Sequence, residues 1–200
     1  MEQCDTTAFS QWLTRGRTLR LASRSPRRLH LLRHLGLEPE VCPVDADESR
    51  LAGESVANYV ERLARDKARA ALTPGVGLCL GADTTVALGE EELGKPRDAA
   101  EAAAMLQRLA GREHRVFTGV AVARGADGHM ESLVVISRVW IKNLDAEELA
   151  LYVASGEPMD KAGAYGLQGL GSFLVARIDG SSTGVAGLPL RETAELLRRL

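Results

Sequence analysis

The sequence predicts an α/β protein built on a mixed β-sheet. Short apolar runs alternate along the chain with segments of helical periodicity, which is the pattern of parallel strands joined by helices. Ala126-Asp127-Gly128 lies between two β-rich runs and reads as a hairpin turn, so an antiparallel pair follows the early parallel units. A chain of 200 residues suits one domain, or one domain with a small lobe.

Six runs rich in apolar or β-branched residues predict strands, at Leu19–Ala22, Glu40–Val44, Leu78–Ala82, Val116–Arg124, Leu133–Lys142 and Phe173–Ile178. Five amphipathic or alanine-rich segments predict helices, at Pro26–Leu35, Val56–Leu72, Ala99–Leu109, Ala146–Ala154 and Leu190–Leu200. Gly36 and Gly111 follow two of these helices as C-cap signals, and Asp98 and Asp145 precede two as N-caps.

Composition excludes several classes of protein. A net charge of −2 argues against broad nucleic-acid binding, and no apolar run is long enough to span a membrane. The cysteines, Cys4, Cys42 and Cys79, lack metal-ligand spacing, and without a signal peptide they fit a reducing cytosol. Residues 1–17 read as a polar, frayed N-terminal extension that is lightly anchored by Trp12, with a single domain over residues 18–200.

The stretch Ser23-Arg24-Ser25-Pro26-Arg27-Arg28 is the most informative part of the chain. Pro26 suits the first turn of a helix, which places two arginines at the positive end of the helix dipole. Hydroxyls, backbone N–H groups and arginine forks together favour a phosphate site there. The alternative is a solvated helix start that is basic by chance.

Lys67 falls in the middle of an apolar stripe on the helix predicted from Val56, four residues after Leu63. A lysine on an inward face must extend its ammonium to solvent, pair with an acid or meet a ligand. The extended stem and the pocket lysine are about equally supported by the pattern.

Carboxylates follow two predicted strands. Asp83 stands at the end of the strand Leu78–Ala82, where α/β sheets bind ligands, and it could hold a metal or take a proton from water. Asp45, Asp47 and Glu48 follow Val44 and could attract a divalent cation. A turn aspartate and an exposed acidic loop are the ordinary alternatives.

Two glycine-bearing loops complete the candidates. Gly94-Lys95-Pro96 holds a lysine on a defined loop, although a simple turn explains it equally well. The segment from Asp160-Lys161 to Gln168-Gly169-Leu170-Gly171 allows close backbone approach to a ligand, and Gln168 can recognise a base edge. Cations, carboxylates, hydroxyls and an amide together fit a nucleoside polyphosphate with a divalent metal.

This set of motifs resembles the Maf family of nucleotide pyrophosphatases from about Leu19 to the C-terminus. The matching stretches are Leu21 to Arg28, Tyr59 to Ala64 with Lys67-Ala68, Ala82-Asp83-Thr84, Gly94-Lys95-Pro96, His114 to Gly119, Asp160 to Tyr165 and Gly187 to Leu190. The resemblance implies an elongated α/β fold of the Maf/ITPase type, with two lobes flanking a central cleft.

The resemblance also implies hydrolysis between the α and β phosphates of dTTP or UTP, or of modified pyrimidine nucleotides, as a nucleotide-pool housecleaning activity. Asp83 matches the proton acceptor, and Glu48 matches an acidic residue near a Mg²⁺ or Mn²⁺ ion that Asp83 could share. The phosphate-site positions are matched by Ser23, Arg28, Lys67, Lys95 and Lys161. Lys67 and Lys95 are expected to be catalytic with the two acids, and Ser25 is expected to bind substrate. Arg27, Thr84 and Gln168 match the positions associated with the dTTP/UTP branch. A cytoplasmic homodimer without a stable nucleic-acid partner is expected.

Two other functions stay open at this point. A non-catalytic nucleotide or nucleic-acid binding regulator of cell division would need the cations but no catalytic carboxylate. A phosphatase or transferase would release a product other than pyrophosphate.

Overall fold

Helices and strands alternate along most of the chain, as the sequence predicts. The structure is a computed structural model that describes residues 6–200. In that range the α-helices are α1 Thr7–Thr14, α2 Pro26–His34, α3 Val56–Ala70, α4 Ala99–Leu109, α5 Ala146–Ala154, α6 Ser182–Val185 and α7 Leu190–Arg199. The strands are β1 Leu19–Leu21, β2 Glu40–Val41, β3 Leu78–Leu88, β4 Glu91–Leu93, β5 Glu113–Arg124, β6 Met130–Ile141 and β7 Val175–Asp179.

The seven strands form one mixed sheet in the order β2-β1-β3-β5-β6-β7, with β4 paired to β3. β1 is parallel to both β2 and β3, whereas β3–β4 and β6–β7 are antiparallel. The predicted hairpin turn is confirmed, because Gly128 N–H donates to the Arg124 carbonyl at 2.9 Å where β5 ends. The α/β class and its mixed sheet are therefore confirmed.

The cap signals are confirmed as well. Gly36 and Gly111 have φ of 69° and 66°, the left-handed conformation that ends a helix. The Asp98 side chain accepts a hydrogen bond from Glu101 N–H, and Asp145 forms a reciprocal capping box with Glu148.

The chain divides into two compact units. One contains residues 6–83, 119–134 and 187–200, and the other contains residues 84–118 and 135–186. Each has its own apolar core. One cluster in the first unit consists of small side chains of α3, β3 and β5, including Ala64, Ala68 and Cys79, and a cluster in the second unit contains larger ones such as Met105, Leu106 and Leu174. The single-domain assignment of residues 18–200 stays a prediction.

Helix α3 lies directly on the sheet of the first unit at two glycines. A Cβ at Gly81 would stand 2.2 Å from the Ala64 carbonyl oxygen, and one at Gly119 would stand 2.2 Å from the Val60 carbonyl oxygen. No side chain can occupy either position without displacing the helix backbone. The missing side chains therefore set the height of α3 above β3 and β5.

Several elements differ from the sequence prediction, among them α6, which was not predicted. The prediction of a frayed N-terminal extension is wrong for residues 7–14, because these residues form α1, whose Leu13 is fully buried. β4 was not predicted. β3 continues through Leu88, so Asp83 lies inside a strand and not at its end, which corrects the prediction from sequence. Cys4 lies outside the described residues. None of the helices in residues 6–200 is both long and apolar enough to cross a membrane.

Candidate active site

The turn between β1 and α2 is built by Ser23. Its hydroxyl oxygen accepts hydrogen bonds from Ser25 N–H and from Arg28 Nη1, both at 3.1 Å. Ser25 is the residue before the helix and Pro26 occupies the first turn, as predicted. Ser23 is buried, whereas Ser25 and Arg27 are half-buried at the same turn. Hydroxyls, first-turn N–H groups and two arginines are thus gathered at one helix start.

Arg28 is held in place from two sides. In addition to the Ser23 contact, its Nε donates to the Gly187 carbonyl oxygen at 3.0 Å. Burial lowers the pKa of Arg28, and the negative charges of Asp83 and Glu48 oppose that shift. Arg28 therefore belongs to the same electrostatic neighbourhood as these two carboxylates.

Lys67 is the centre of the site in the first unit. Lys67 is only 8% exposed, which confirms that it lies on the inward face of α3. Its Nζ donates to Asp83 Oδ1 at 2.7 Å and to Glu48 Oε1 at 2.8 Å. The Lys67 side chain does not extend to solvent as the alternative required. Its ammonium instead joins two acids that are 35 residues apart in the chain.

The irregular loop that carries Glu48 is fixed by α3, which sequence reasoning did not find. Tyr59 donates its hydroxyl to the Glu48 carbonyl at 2.9 Å, and Arg62 donates to the Ser49 carbonyl at 2.9 Å. Arg62 also pairs with the Glu54 carboxylate at 2.7 Å, which holds the pKa of Glu54 at about 2. The backbone of the Glu48 loop is therefore ordered even though the Glu48 side chain is largely exposed.

The acidic cluster does not act as one group. Asp45 pairs with Arg24 at 2.8 Å in solvent, and Asp47 Oδ1 accepts from Ser49 N–H at 2.9 Å. Hydrogen bonds from Ser49 lower the pKa of Asp47. Glu48 alone of the three contacts Lys67, so the cluster separates into two acids with other partners and one that pairs with the buried ammonium.

A hydroxyl chain follows Asp83 in the second unit. Thr84 Oγ1 lies 3.1 Å from Thr118 Oγ1, and the Thr118 hydroxyl donates to the Gly184 carbonyl at 2.9 Å. Thr84 is half-buried and Thr118 is buried. Thr118 belongs to the matched stretch that ends in Thr118-Gly119, but nothing in its spacing pointed to a role.

Two lysines of the second unit have different surroundings. Lys95 is exposed on the loop after β4, which is tied down by a hydrogen bond from Gly163 N–H to the Gly94 carbonyl at 3.0 Å. The Lys161 side chain is 11% exposed, and its Nζ donates to the Glu157 carbonyl at 2.6 Å and to Asp160 Oδ1 at 2.7 Å. Lys95 is thus positioned by its backbone, whereas Lys161 is positioned by its own contacts.

The glycine-rich loop that carries Gln168 is organised by Glu157. The Glu157 carboxylate accepts from Leu170 N–H and Gly171 N–H, both at 2.8 Å, and from the Tyr152 hydroxyl at 3.2 Å. Burial and the adjacent Glu157 charge raise the pKa of Tyr152, so its hydroxyl stays protonated and can donate. Sequence reasoning found Gln168 but missed the carboxylate that shapes its loop.

The residues present fit a divalent cation that is shared with a substrate. In residues 6–200 no group of three or more His, Cys, Asp or Glu side chains could hold a metal ion. Glu48 and Asp83 offer two carboxylates on either side of one ammonium. Mg²⁺ is commonly bound by one or two carboxylates together with phosphate oxygens and water, so a third protein ligand is not needed.

Comparison with solved structures identifies the class of fold. A HAM1 protein from Coxiella burnetii superposes with a TM-score of 0.51 over 92% of this chain and 100% of its own, at 18% sequence identity. The mixed sheet and its helices therefore have the same fold as this HAM1 protein.

The chain belongs to the Maf family: a family model described as "Maf-like protein" matches residues 18–200. A dTTP/UTP pyrophosphatase from Myxococcus xanthus is 55% identical over 181 residues, which cover 90% of each chain. A dTTP/UTP pyrophosphatase from Vibrio cholerae is 49% identical over 181 residues, which cover 90% of this chain and 96% of the relative. The resemblance read from the motifs is confirmed.

Proposed function

We propose that the protein hydrolyses dTTP and UTP to the nucleoside monophosphate and pyrophosphate. The observation that carries the proposal is the buried Lys67 ammonium held by Asp83 and Glu48, with Arg28 in the same electrostatic neighbourhood. Cations and carboxylates are thereby combined at one place, as attack of water on an anionic phosphorus requires. The relatives named as dTTP/UTP pyrophosphatases support the same reaction.

Asp83 accepts the proton of the attacking water in this proposal. Its side chain is 13% exposed and its Oδ1 is oriented by Lys67, so the carboxylate has a defined direction. Ser23, Ser25 and Arg28 bind phosphate oxygens at the start of α2, and Lys67, Lys95 and Lys161 offset the charge that grows on the pyrophosphate. The reaction class is hydrolysis of an acid anhydride.

Mg²⁺ or Mn²⁺ is proposed as the cofactor, held by Glu48 and Asp83. Held there, the ion would supply positive charge to offset the negative charge of the phosphate oxygens. The protein's own part is to fix the two carboxylates, which it does through Lys67 for Asp83 and through the Tyr59-anchored loop for Glu48.

Recognition of the base is assigned to Arg27, Thr84 and Gln168. Polar groups that are left unpaired by the wrong base are the strongest source of discrimination. We further propose that the enzyme acts in the cytoplasm on the nucleotide pool, as a homodimer and without a stable nucleic-acid partner.

Gln168→Ala should lower the dTTP-to-GTP preference more than it lowers phosphate binding. An unchanged preference would contradict the role of Gln168 in base recognition.

A panel of nucleoside triphosphates with Mg²⁺ or Mn²⁺, scored separately for pyrophosphate and orthophosphate, tests the reaction. We expect pyrophosphate from dTTP and UTP. Orthophosphate as the first product would indicate a phosphatase, and no product together with tight nucleotide binding would indicate a regulator.

Asp83→Asn tests the assignment of the base. Turnover should fall by roughly 10²–10³-fold while nucleotide affinity survives. Asp45→Asn is the matched control, because its carboxylate is exposed and pairs only with Arg24 among the contacts described above. Undiminished turnover in Asp83→Asn would show that the assigned base is wrong.

A further inference from the structure

A largely buried ion pair between Arg62 and Glu54 lies in the first unit and takes no part in the proposed reaction. The Arg62 guanidinium donates two hydrogen bonds to the Glu54 carboxylate, from Nε at 2.7 Å and from Nη2 at 2.9 Å. The Glu54 side chain is only 8% exposed, and that of Arg62 is 24% exposed. Two-pronged pairs of this kind fix the relative orientation of arginine and carboxylate, which a lysine cannot do.

The same guanidinium also holds the chain five residues earlier. Arg62 Nη2 donates to the Ser49 carbonyl oxygen at 2.9 Å. Between these two points the segment is closed on itself, because the Glu54 carboxylate accepts from Leu51 N–H at 3.1 Å and Arg50 donates to the Glu54 carbonyl at 2.7 Å. Residues 49–54 therefore form a compact turn that one arginine of α3 clamps at both ends.

Glu48 directly precedes this clamped turn. No residue from 42 to 55 belongs to a helix or a strand, so the regular hydrogen bonds of the sheet and helices do not place Glu48. The Tyr59 hydroxyl fixes one point of the loop through the Glu48 carbonyl. Arg62 fixes the chain on the other side of Glu48, which sets the direction in which the carboxylate extends toward Lys67.

We infer that Arg62 and Glu54 are positioning residues that hold the Glu48 carboxylate at the Lys67 ammonium. The inference rests on the proposed function and deepens it. Arg62 and Glu54 contact each other and the loop, and neither of them contacts Lys67 or Asp83. Their effect on hydrolysis therefore passes through Glu48.

Arg62→Met tests the inference, because methionine keeps an unbranched stem but cannot bind Ser49 or Glu54. The kcat/KM for UTP should fall by about 10–100-fold, the usual cost of removing a group that orients a site residue. Arg62→Lys keeps the charge but not the two-pronged geometry, so we expect it to lose nearly as much. A wild-type kcat/KM in Arg62→Met would overturn the inference.

Arg65→Met is the matched control. Arg65 is also half-buried on α3, but it donates to the Ser132 hydroxyl at 3.0 Å and not to the Glu48 loop. Arg65→Met should therefore keep the kcat/KM of the wild type. An equal fall in the Arg65 and Arg62 variants would overturn the inference, because any half-buried arginine of the helix would then have the same effect.

A double substitution separates positioning from a general structural effect. Glu48→Gln should itself lower kcat/KM, and adding Arg62→Met should lower it no further, because the carboxylate that Arg62 positions is gone. Glu54→Gln and Arg62→Met should likewise not add, since either change breaks the same pair. A further fall when Arg62→Met is added to Glu48→Gln would overturn the inference.

A crystal structure of Arg62→Met gives a readout that does not depend on activity. The Glu48 carboxylate should lie beyond hydrogen-bond distance of Lys67 Nζ, and a contact kept at the wild-type 2.8 Å would overturn the inference. If Arg62→Met does not fold, Arg62→Lys supports the same measurements, because it keeps a cation opposite Glu54. Failure of the proposed function is distinguishable, because the wild type would then release no pyrophosphate from UTP while the structures would still report where Glu48 lies.

Discussion

Lys67 introduces a positive charge at a position where the helix pattern calls for an apolar side chain. Its carbon stem packs with the core of the first unit, and its ammonium contacts Asp83 and Glu48. A buried cation with two acidic partners is costly to remove, because the Asp83 carboxylate would be left without its cation.

We therefore expect Lys67→Met to lower the rate of pyrophosphate release by roughly 10²-fold and to destabilise the fold by about 1–3 kcal/mol. Steady-state kinetics and urea unfolding would measure the two effects. Arg69→Met is the control on the same helix, because Arg69 is exposed and pairs with Asp66. A fully active Lys67→Met enzyme would contradict the proposed role.

His114 is a buried titratable group of the second unit. Its Nε2 lies 2.6 Å from the Tyr165 hydroxyl, and its Nδ1 has no hydrogen-bond partner. Burial lowers the pKa of His114 from 6.5 to about 4. The unfolded chain therefore takes up a proton before the folded protein does as the pH falls.

Stability from the neutral His114 is complete above pH 6.5 and is lost as the pH falls toward 4. This loss should amount to about 2 kcal/mol between pH 7 and pH 5. Urea unfolding at several pH values should show a shallower dependence for His114→Phe than for the wild type. Tyr165→Phe should keep the steep dependence, since it retains the buried imidazole.

At the scale of elements, the Glu157 carboxylate substitutes for regular structure in the loop from Gly166 to Gly171. It satisfies two backbone N–H groups and one hydroxyl that would otherwise be unpaired. Gln168 itself belongs to neither a helix nor a strand, and a 3₁₀ helix begins two residues later at Leu170.

Glu157→Ala should raise the KM for dTTP by about tenfold with a smaller effect on kcat, because the loop loses several hydrogen bonds. Hydrogen exchange of residues 166–171 would report the loosening directly. Glu147→Ala is the control, since Glu147 is exposed in the first turn of α5. An unchanged KM with a loosened loop would separate this loop from substrate binding.

The elements that sequence reasoning found have short-range signals. The helix over Val56–Ala70 follows from its apolar stripe, and the same stripe singles out Lys67. Asp83-Thr84-Thr85 instead reads as a turn, because polar residues interrupt the apolar run. β3 continues through them to Leu88, because β3 neighbours β5 in the sheet and its last residues, Val86 to Leu88, pair with β4, and the local sequence reveals neither pairing.

The contacts of the site were harder to predict than its residues. The order of motifs was enough to name Lys67, Asp83 and Glu48, but not to show that one ammonium joins both acids. The Thr118 and Glu157 contacts join residues that are distant in sequence or lie in irregular segments, where no periodicity applies.

At the scale of the whole molecule, the two ends of the described chain support each other. Helix α1 packs on α7: Arg198 lies over the Trp12 ring at 4.2 Å and donates to the Trp12 carbonyl at 2.8 Å. Arg17 donates to the Leu200 carbonyl at 2.6 Å. The N-terminal segment is therefore part of the folded first unit.

Leu13→Ala should lower the free energy of unfolding by at least about 2 kcal/mol, since Leu13 is fully buried. In a chain of 200 residues this corresponds to a fall in Tm of about 4–8 °C. Calorimetry would measure the change, with exposed Gln11→Ala as the control. The kcat should stay near the wild-type value, because α1 supplies none of the proposed site residues.

Because Gly81 and Gly119 have no side chains, the α3 backbone packs directly against β3 and β5 at these two positions. This close packing sets the distance between the Lys67 ammonium and the Asp83 carboxylate, because Lys67 lies on α3 and Asp83 lies on β3. A single methyl group at either glycine would push α3 away from the sheet and separate the Lys67 ammonium from the Asp83 carboxylate. Gly81 and Gly119 therefore help to position the Lys67–Asp83 ion pair although neither residue contacts it.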